Sequence, residues 1–221
     1  MKMKSKKSFK FSEKYWLFLI ILGLIGTCMI LLATRRYSAG VTPDSVLYIS
    51  VARNIANGSG ITTWNSDPLI SEPPLYPIIL AVVNYVFKID PLLSARFVNA
   101  LLFGLIIYLS GLIFKKHLKS SPALVLLGTA FVLVSRTLVD VFLQTWTEPL
   151  FICFVLLTLL FYERYIEKRN TTSLVLLSLS TSLASLTRYM GIVLILTGIV
   201  YILFFNRDNL ATKIRHFPFL Y

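Results

Sequence analysis

Long apolar runs alternate with short basic segments along almost the whole chain. The runs cover residues 15–33, 97–114, 122–139 and 149–162, followed by a 34-residue block at 172–205. A run of about 17 to 25 apolar residues is long enough to cross a bilayer as a helix. The block at 172–205 holds two spans, about 172–187 and 190–205, turning near Thr187-Arg188-Tyr189. The pattern therefore predicts an all-α polytopic membrane protein with six spans. One segment breaks the rhythm: residues 35–77 are polar and separate the first run from the rest. A shorter apolar stretch, 74–87, begins Pro-Pro, contains Pro77 and has only 14 residues. By length it is an interfacial or re-entrant helix as readily as a short span.

Charge settles that choice. Hydrophobic residues make up 56% of the chain and charged residues 14%, with a net charge of +12 and a mean hydropathy of +0.74. No soluble domain has this balance. The cations sit in short clusters between apolar runs, as topology signals do, and not in a patch suited to nucleic acid. If 74–87 stays on one side, 15 of 22 cations face the cytoplasm: six Lys in the tail 1–14, then Lys115, Lys116 and Lys119, then Arg164, Lys168 and Arg169, then Arg207, Lys213 and Arg215. If it crosses, the clusters at Lys115 and Arg164 move outside, against the positive-inside bias. The first arrangement is adopted. It makes 1–14 and 206–221 cytoplasmic tails and puts the long first loop, 34–96, outside with interfacial helices at about 43–57 and 74–87. The first run acts as an uncleaved anchor, because no Ala-x-Ala site follows it. Cys28 and Cys153 lie in apolar runs and His117 and His216 stand singly in basic loops, so neither a disulfide frame, a zinc site nor a Ser/His site has its parts.

Three extracytoplasmic places then carry the polar chemistry. In the long loop, Thr42-Pro43-Asp44 opens a helix, with Thr42 as cap, Pro43 at the first position and Gly58 at the end. At 100° per residue, Ser50, Arg53, Asn54 and Asn57 form its polar face, while Asp44 falls with Leu47, Tyr48, Val51 and Ile55 on the side turned to membrane or protein. Asp44 is either a helix-terminal charge or a carboxylate held where water is scarce. In the 136–148 loop, Arg136 and Asp140 are spaced to pair along a helix, and Thr147-Glu148-Pro149 opens the next span with a capping Thr. Arg188 lies inside the last apolar block, where a guanidinium at a helix centre costs roughly 2.5 to 3.5 kcal/mol on insertion scales. It marks either a hairpin turn at the interface or a site awaiting an anion such as a lipid phosphate. Trp64, Tyr48, Tyr76 and Trp146 share this face as sugar platforms or as an interfacial aromatic belt.

The order Asp44-Ser-x-x-Tyr48-x-x-x-Ala52-Arg53, Glu72-Pro-Pro-Leu-Tyr76-Pro77, Thr147-Glu148-Pro-Leu-Phe151 and Leu186-Thr-Arg188 resembles the N-terminal half of GT-C glycosyltransferases. Bacterial members of the protein-mannosyltransferase and aminoarabinose-transferase group are the nearest in pattern. The resemblance implies a GT-C-like helix bundle in a bacterial plasma membrane with its active face outside. It implies inverting transfer of a sugar from a polyprenyl-phosphate donor to a hydroxyl on a lipid, glycan or protein acceptor. Carried over by position, Asp44 is the general base and Glu148 the second acid. Arg188 is assigned to the donor phosphate, and Arg53, Tyr48, Glu72, Tyr76 and Arg136 to substrate binding. Relatives often carry a second carboxylate after the first, where this chain has Ser45, so a divalent metal has no support here and no cofactor is expected. Such enzymes usually continue through further spans, so a fragment or truncated product is expected. Three other functions compete: a transporter, disfavoured because the ionisable groups gather at one face and not at mid-span; a non-catalytic membrane scaffold; and a lipid-linked-glycan ligase or polymerase.

Overall fold

The structure, a computed structural model, describes residues 14–118 and 121–200. Among these the chain forms α1 (Lys14–Ala33), α2 (Pro43–Ala56), α3 (Leu75–Phe87), α4 (Pro91–His117), α5 (Pro122–Val134), α6 (Arg136–Phe142), α7 (Glu148–Lys168), α8 (Thr171–Thr187), a 3-10 turn (Tyr189–Gly191) and α9 (Ile192–Val200). No strand occurs among the described residues, only isolated bridges. The fold is all-α, as the apolar pattern predicts. Both cytoplasmic tails expected at 1–14 and 206–221, apart from Lys14, lie outside the described residues, as does the end of the last expected span.

Several helices differ in extent from the apolar runs. α4 starts well before residue 97, because Asp90 caps it by accepting from the Leu92 amide at 3.0 Å and Pro91 supplies the first helical position. α7 runs on to Lys168 through a polar last turn and ends where Arg169 turns left-handed at φ 47°. The run 122–139 is not one straight helix. Ser135 leaves the helical region at φ −64°, ψ 107°, and α5 and α6 meet there at a 52° bend. That elbow brings Arg136 out to solvent. By length and composition α1, α4 and α7 can each cross a membrane, and α5 with α6 makes a fourth if the bent pair is one span. α3, α8 and α9 are shorter apolar helices.

α1 lies along α4, and the crossing is made by glycines. A methyl group added at Gly23 would sit 2.8 Å from the Gly104 carbonyl oxygen, and one at Gly104 would sit 2.6 Å from that of Gly23. Neither backbone has room for a side chain. Small residues at such crossings let helices meet by backbone packing in a medium that offers no hydrophobic drive between them. Around the crossing, Ile30, Phe103, Ile107 and Phe142 form one core. A second core lies nearer the ends of α2, α3 and α7, where Tyr48, Ala52, Tyr76, Leu80 and Leu150 are buried together. Its two tyrosine rings meet edge to face with centroids 5.8 Å apart. Burying a side chain such as Leu80 contributes about 1.5 to 3 kcal/mol, which fixes the two short helices to the bundle.

Candidate active site

α2 starts on a reciprocal cap. The Ser45 amide donates to the Thr42 hydroxyl at 3.5 Å, and the Thr42 amide donates to the Ser45 hydroxyl at 3.0 Å. Ser45 is fully buried and serves as half of the cap. The helix ends at Asn57, followed by Gly58 at φ +81°, a conformation glycine takes without strain. Asp44 stands in the first turn and is exposed, not turned inward as the helical wheel suggests. The wheel fails at this point because Ser45, the capping partner, takes the inward position. Tyr48, one turn on, is buried as expected.

A strap of residues 142–147 carries the start of α7 to the start of α2. The Gly40 amide donates to the Leu143 carbonyl at 2.7 Å, and the Thr145 amide donates to the Gly40 carbonyl at 2.9 Å. Trp146 Nε1 then donates to the Thr42 hydroxyl at 2.9 Å. Two helix N-termini, those of α2 and α7, are held side by side in this way, and both carry a carboxylate in the first turn. Each terminus offers a partial positive charge to an anion.

Arg188 closes the group from α8. It is the last residue before the 3-10 turn, in extended backbone at φ −148°, ψ 138°. Its Nη1 donates to Glu148 Oε1 at 2.6 Å and to the Thr147 hydroxyl at 2.9 Å. The turn expected near 187–189 is present, and the anion beside Arg188 is Glu148. Among the described residues Nε and Nη2 have no partner, which leaves one edge of the guanidinium fork open. Thr147 does not cap α7 as expected. Its φ −79°, ψ −20° continue the helical backbone, whereas a capping side chain needs an extended residue, and its hydroxyl is taken by Arg188.

Tyr48 is the hub of this junction. Burial pushes its hydroxyl up to about 12, with Glu72 the next cause; Thr147 hydrogen-bonds it, and Asp44 and Arg188 also act on it. The phenol is therefore neutral at any physiological pH. Asp44, Tyr48, Glu72, Thr147, Glu148 and Arg188 thus converge from four segments far apart in sequence. Tyr76 sits beneath them, fully buried.

Two residues expected to bind substrate are engaged elsewhere. Arg53 forks onto Asp90 at 2.9 and 3.0 Å, tying the end of α2 to the cap of α4. Arg136, with a side chain 94% exposed, lies 3.8 Å from Asp140 on α6, the helical pair its spacing suggests. Trp64 is exposed, as is Tyr189, whose hydroxyl donates to the Ile70 carbonyl at 3.0 Å and pins the long loop beside Arg188. Asn54 folds the same loop back on α2 by donating to the carbonyls of Thr62 and Thr63 at 2.9 and 2.8 Å. Among the described residues no three His, Cys, Asp or Glu side chains gather into a metal-holding group.

A family model described as dolichyl-phosphate-mannose-protein mannosyltransferase matches residues 71–220. No curated protein and no solved structure matches the chain. The matched stretch starts after α2, so Asp44 and Tyr48 precede it. It includes Glu72, Thr147 and Arg188, three of the groups that act on Tyr48, as well as Glu148, and covers more than half of the chain. By that match the chain belongs to the dolichyl-phosphate-mannose-protein mannosyltransferase family.

Proposed function

We propose that this member of a family of GT-C membrane glycosyltransferases moves a sugar from a polyprenyl-phosphate donor to a hydroxyl acceptor. The reaction takes place on the extracytoplasmic face of a bacterial plasma membrane, and Asp44 is the base. The observation that carries this reading is the convergence of Asp44, Glu72 and Arg188 on the Tyr48 phenol, with Glu148 paired to Arg188. Asp44 takes the proton of the acceptor hydroxyl as its oxygen bonds to the anomeric carbon. The bond from that carbon to the phosphate oxygen breaks with inversion, and polyprenyl phosphate leaves with the electron pair. A phosphate leaves readily, so the site needs a base and cations and no acid for the leaving group.

The geometry supports these roles residue by residue. Asp44 is exposed and, among the described residues, in no ion pair, so its carboxylate is free to accept a proton. Arg188 is oriented through Nη1 by Glu148 and Thr147, while Nε and Nη2 present the edge that suits two phosphate oxygens. Glu148 accordingly acts by aiming Arg188 and lowering the net charge of the donor pocket. The charge asymmetry of the loops supports the outer face, and the short length of α3 supports an interfacial helix under the site.

Asp44→Asn tests the reading. It keeps shape and helix start but removes proton acceptance, so sugar transfer from a radiolabelled polyprenyl-phosphate donor in membranes falls about 100- to 10,000-fold at equal protein level. Asp67→Asn, in an exposed turn of the same loop, transfers at the parental rate. Equal rates in the two variants would reduce Asp44 to a helix-terminal charge.

A further inference from the structure

Asn99 is a lone amide in the first third of α4 and is fully buried. A buried amide with missing partners is costly, so its partners show what it is there to hold. Its Nδ2 donates to the Gln144 carbonyl at 2.6 Å and to the Phe142 carbonyl at 3.2 Å. Its Oδ1 accepts from the Tyr76 hydroxyl at 3.4 Å. Both donor hydrogens thus go to the strap between α6 and α7, and the acceptor goes to the ring under Tyr48. All the partners lie outside α4.

The strap has two faces. On one, Gly40 exchanges hydrogen bonds with Leu143 and Thr145; on the other, Asn99 takes the Phe142 and Gln144 carbonyls. Its next residues are Trp146, bonded to Thr42, and then Thr147 and Glu148, both bonded to Arg188. Among the described residues no other side chain of α4 hydrogen-bonds to the strap. An apolar residue at 99 would take the Asn99 donor from the Phe142 carbonyl and leave the Gln144 carbonyl with the Trp146 amide at 3.0 Å.

We infer that Asn99 is a positioning residue for sugar transfer: through the strap it sets where Glu148 and Thr147 hold Arg188 relative to Asp44 and Tyr48. It touches no reacting atom. Its effect reaches the site because a misplacement of about 1 Å in a positioned group can cost on the order of 100-fold in rate. The inference rests on the proposed transfer reaction only for its kinetic part; the strap part stands on the hydrogen bonds alone.

The experiment uses the full chain in nanodiscs with Trp16 and Trp64 replaced by Phe, so that Trp146 reports on the strap. Asn99→Leu, of similar size but without hydrogen bonding, is expected to red-shift Trp146 emission and raise its quenching by acrylamide. With a polyprenyl-phosphate sugar donor it is expected to raise the donor KM about 10-fold or more, with the shape of the pH profile unchanged because Asp44 is untouched. Asn99→Thr, smaller and still able to donate, covers the case in which the Leu variant does not fold, and is expected to fall between the two. Parental emission, quenching and donor KM in a folded Asn99 variant would overturn the inference. A general loss of kcat with donor KM and Trp146 emission unchanged would also overturn it, as an ordinary packing role. A shifted Trp146 signal with no transfer by the parent protein would support the strap role and sink the glycosyl-transfer reading instead.

Discussion

α7 has a charged cluster at each end, and the two are built differently. At its C-terminal end Glu163 and Glu167 meet Lys116 at 2.8 and 2.9 Å, and Glu163 also meets His117 at 2.6 Å. Among the described residues two elements contribute, α4 and α7, and the acids there are matched by cations. At its N-terminal end Glu148 meets Arg188 at 2.6 Å, but Asp44 and Glu72 stand nearby without ion pairs among the described residues. Four segments contribute, and a buried phenol lies between them. A cluster that only fastens two helices has no reason to leave carboxylates unmatched or to bring an aromatic hub into their midst. Unmatched charge beside an aromatic floor is what a ligand-binding site requires, and that contrast separates the two ends.

The contrast is sharpest if the ends face opposite sides of the membrane. Single cysteines at positions 116 and 67 test this in an all-or-none way. An impermeant maleimide added to intact cells is expected to label position 67 and spare position 116 until the cells are opened. Labelling of position 116 from outside would invert the topology and place the proposed site in the cytoplasm.

Next in size is Arg188→Leu. Hydrogen bonds to charged groups are worth about 1.5 to 3 kcal/mol, so kcat/KM for the donor is expected to drop roughly 10- to 150-fold. Arg188→Lys keeps the charge without the fork and is expected to lie between parent and Leu. Parental transfer by Arg188→Leu with improved yield would make Arg188 a structural turn and erase the difference between the two ends.

Lys116→Ala probes the fastening end. Its pairs are partly solvated, and such pairs contribute about 1 kcal/mol at most, so a small drop in Tm with unchanged transfer per folded molecule is expected. A large loss of transfer would couple the ends of α7.

The smallest effect concerns Arg53, which pairs with Asp90 beside the candidate site. The Arg53 hydrogen bond holds the Asp90 carboxyl below its usual range. A carboxyl lowered on folding adds stability above its unfolded value of about 3.9, and that stability is lost as pH falls through the lower folded value. Both side chains are about half exposed, so solvent screening cuts the contribution. Arg53→Gln is therefore expected to melt slightly below the parent at pH 7, with the gap narrowing as pH falls below about 3.9. A gap of unchanged size in acid would mean that Arg53 acts by packing and not by charge.

Much of this was legible in the chain. Thr42, Pro43 and Gly58 announce α2 because caps and breakers act locally. Asp44, Glu148 and Arg188 stand out because charge among apolar residues is conspicuous. What could not be read is what depends on distant partners. Thr147 looks like a cap, but its backbone conformation is set by the strap and its hydroxyl by a residue 41 positions away. Arg53 looks available until Asp90, 37 residues on, reaches it. Asn99 gave one clue, an amide in an apolar run, with no sign of which backbone it would hold.

The pairing of Gly40 with Gln144 also has a consequence for biosynthesis. The two residues are separated by 104 positions, and a ribosome adds about 5 to 20 residues per second. For roughly 5 to 20 s, then, α2 and Asp44 are already made while the strap that seats them has not been translated. During that interval Thr42 has no Trp146, Asn99 has no strap carbonyl and Glu148 does not yet exist. The loop must wait half-assembled, and a ribosomal pause or a premature stop before Gln144 leaves a membrane-anchored loop that carries Asp44 without the residues that pack around it.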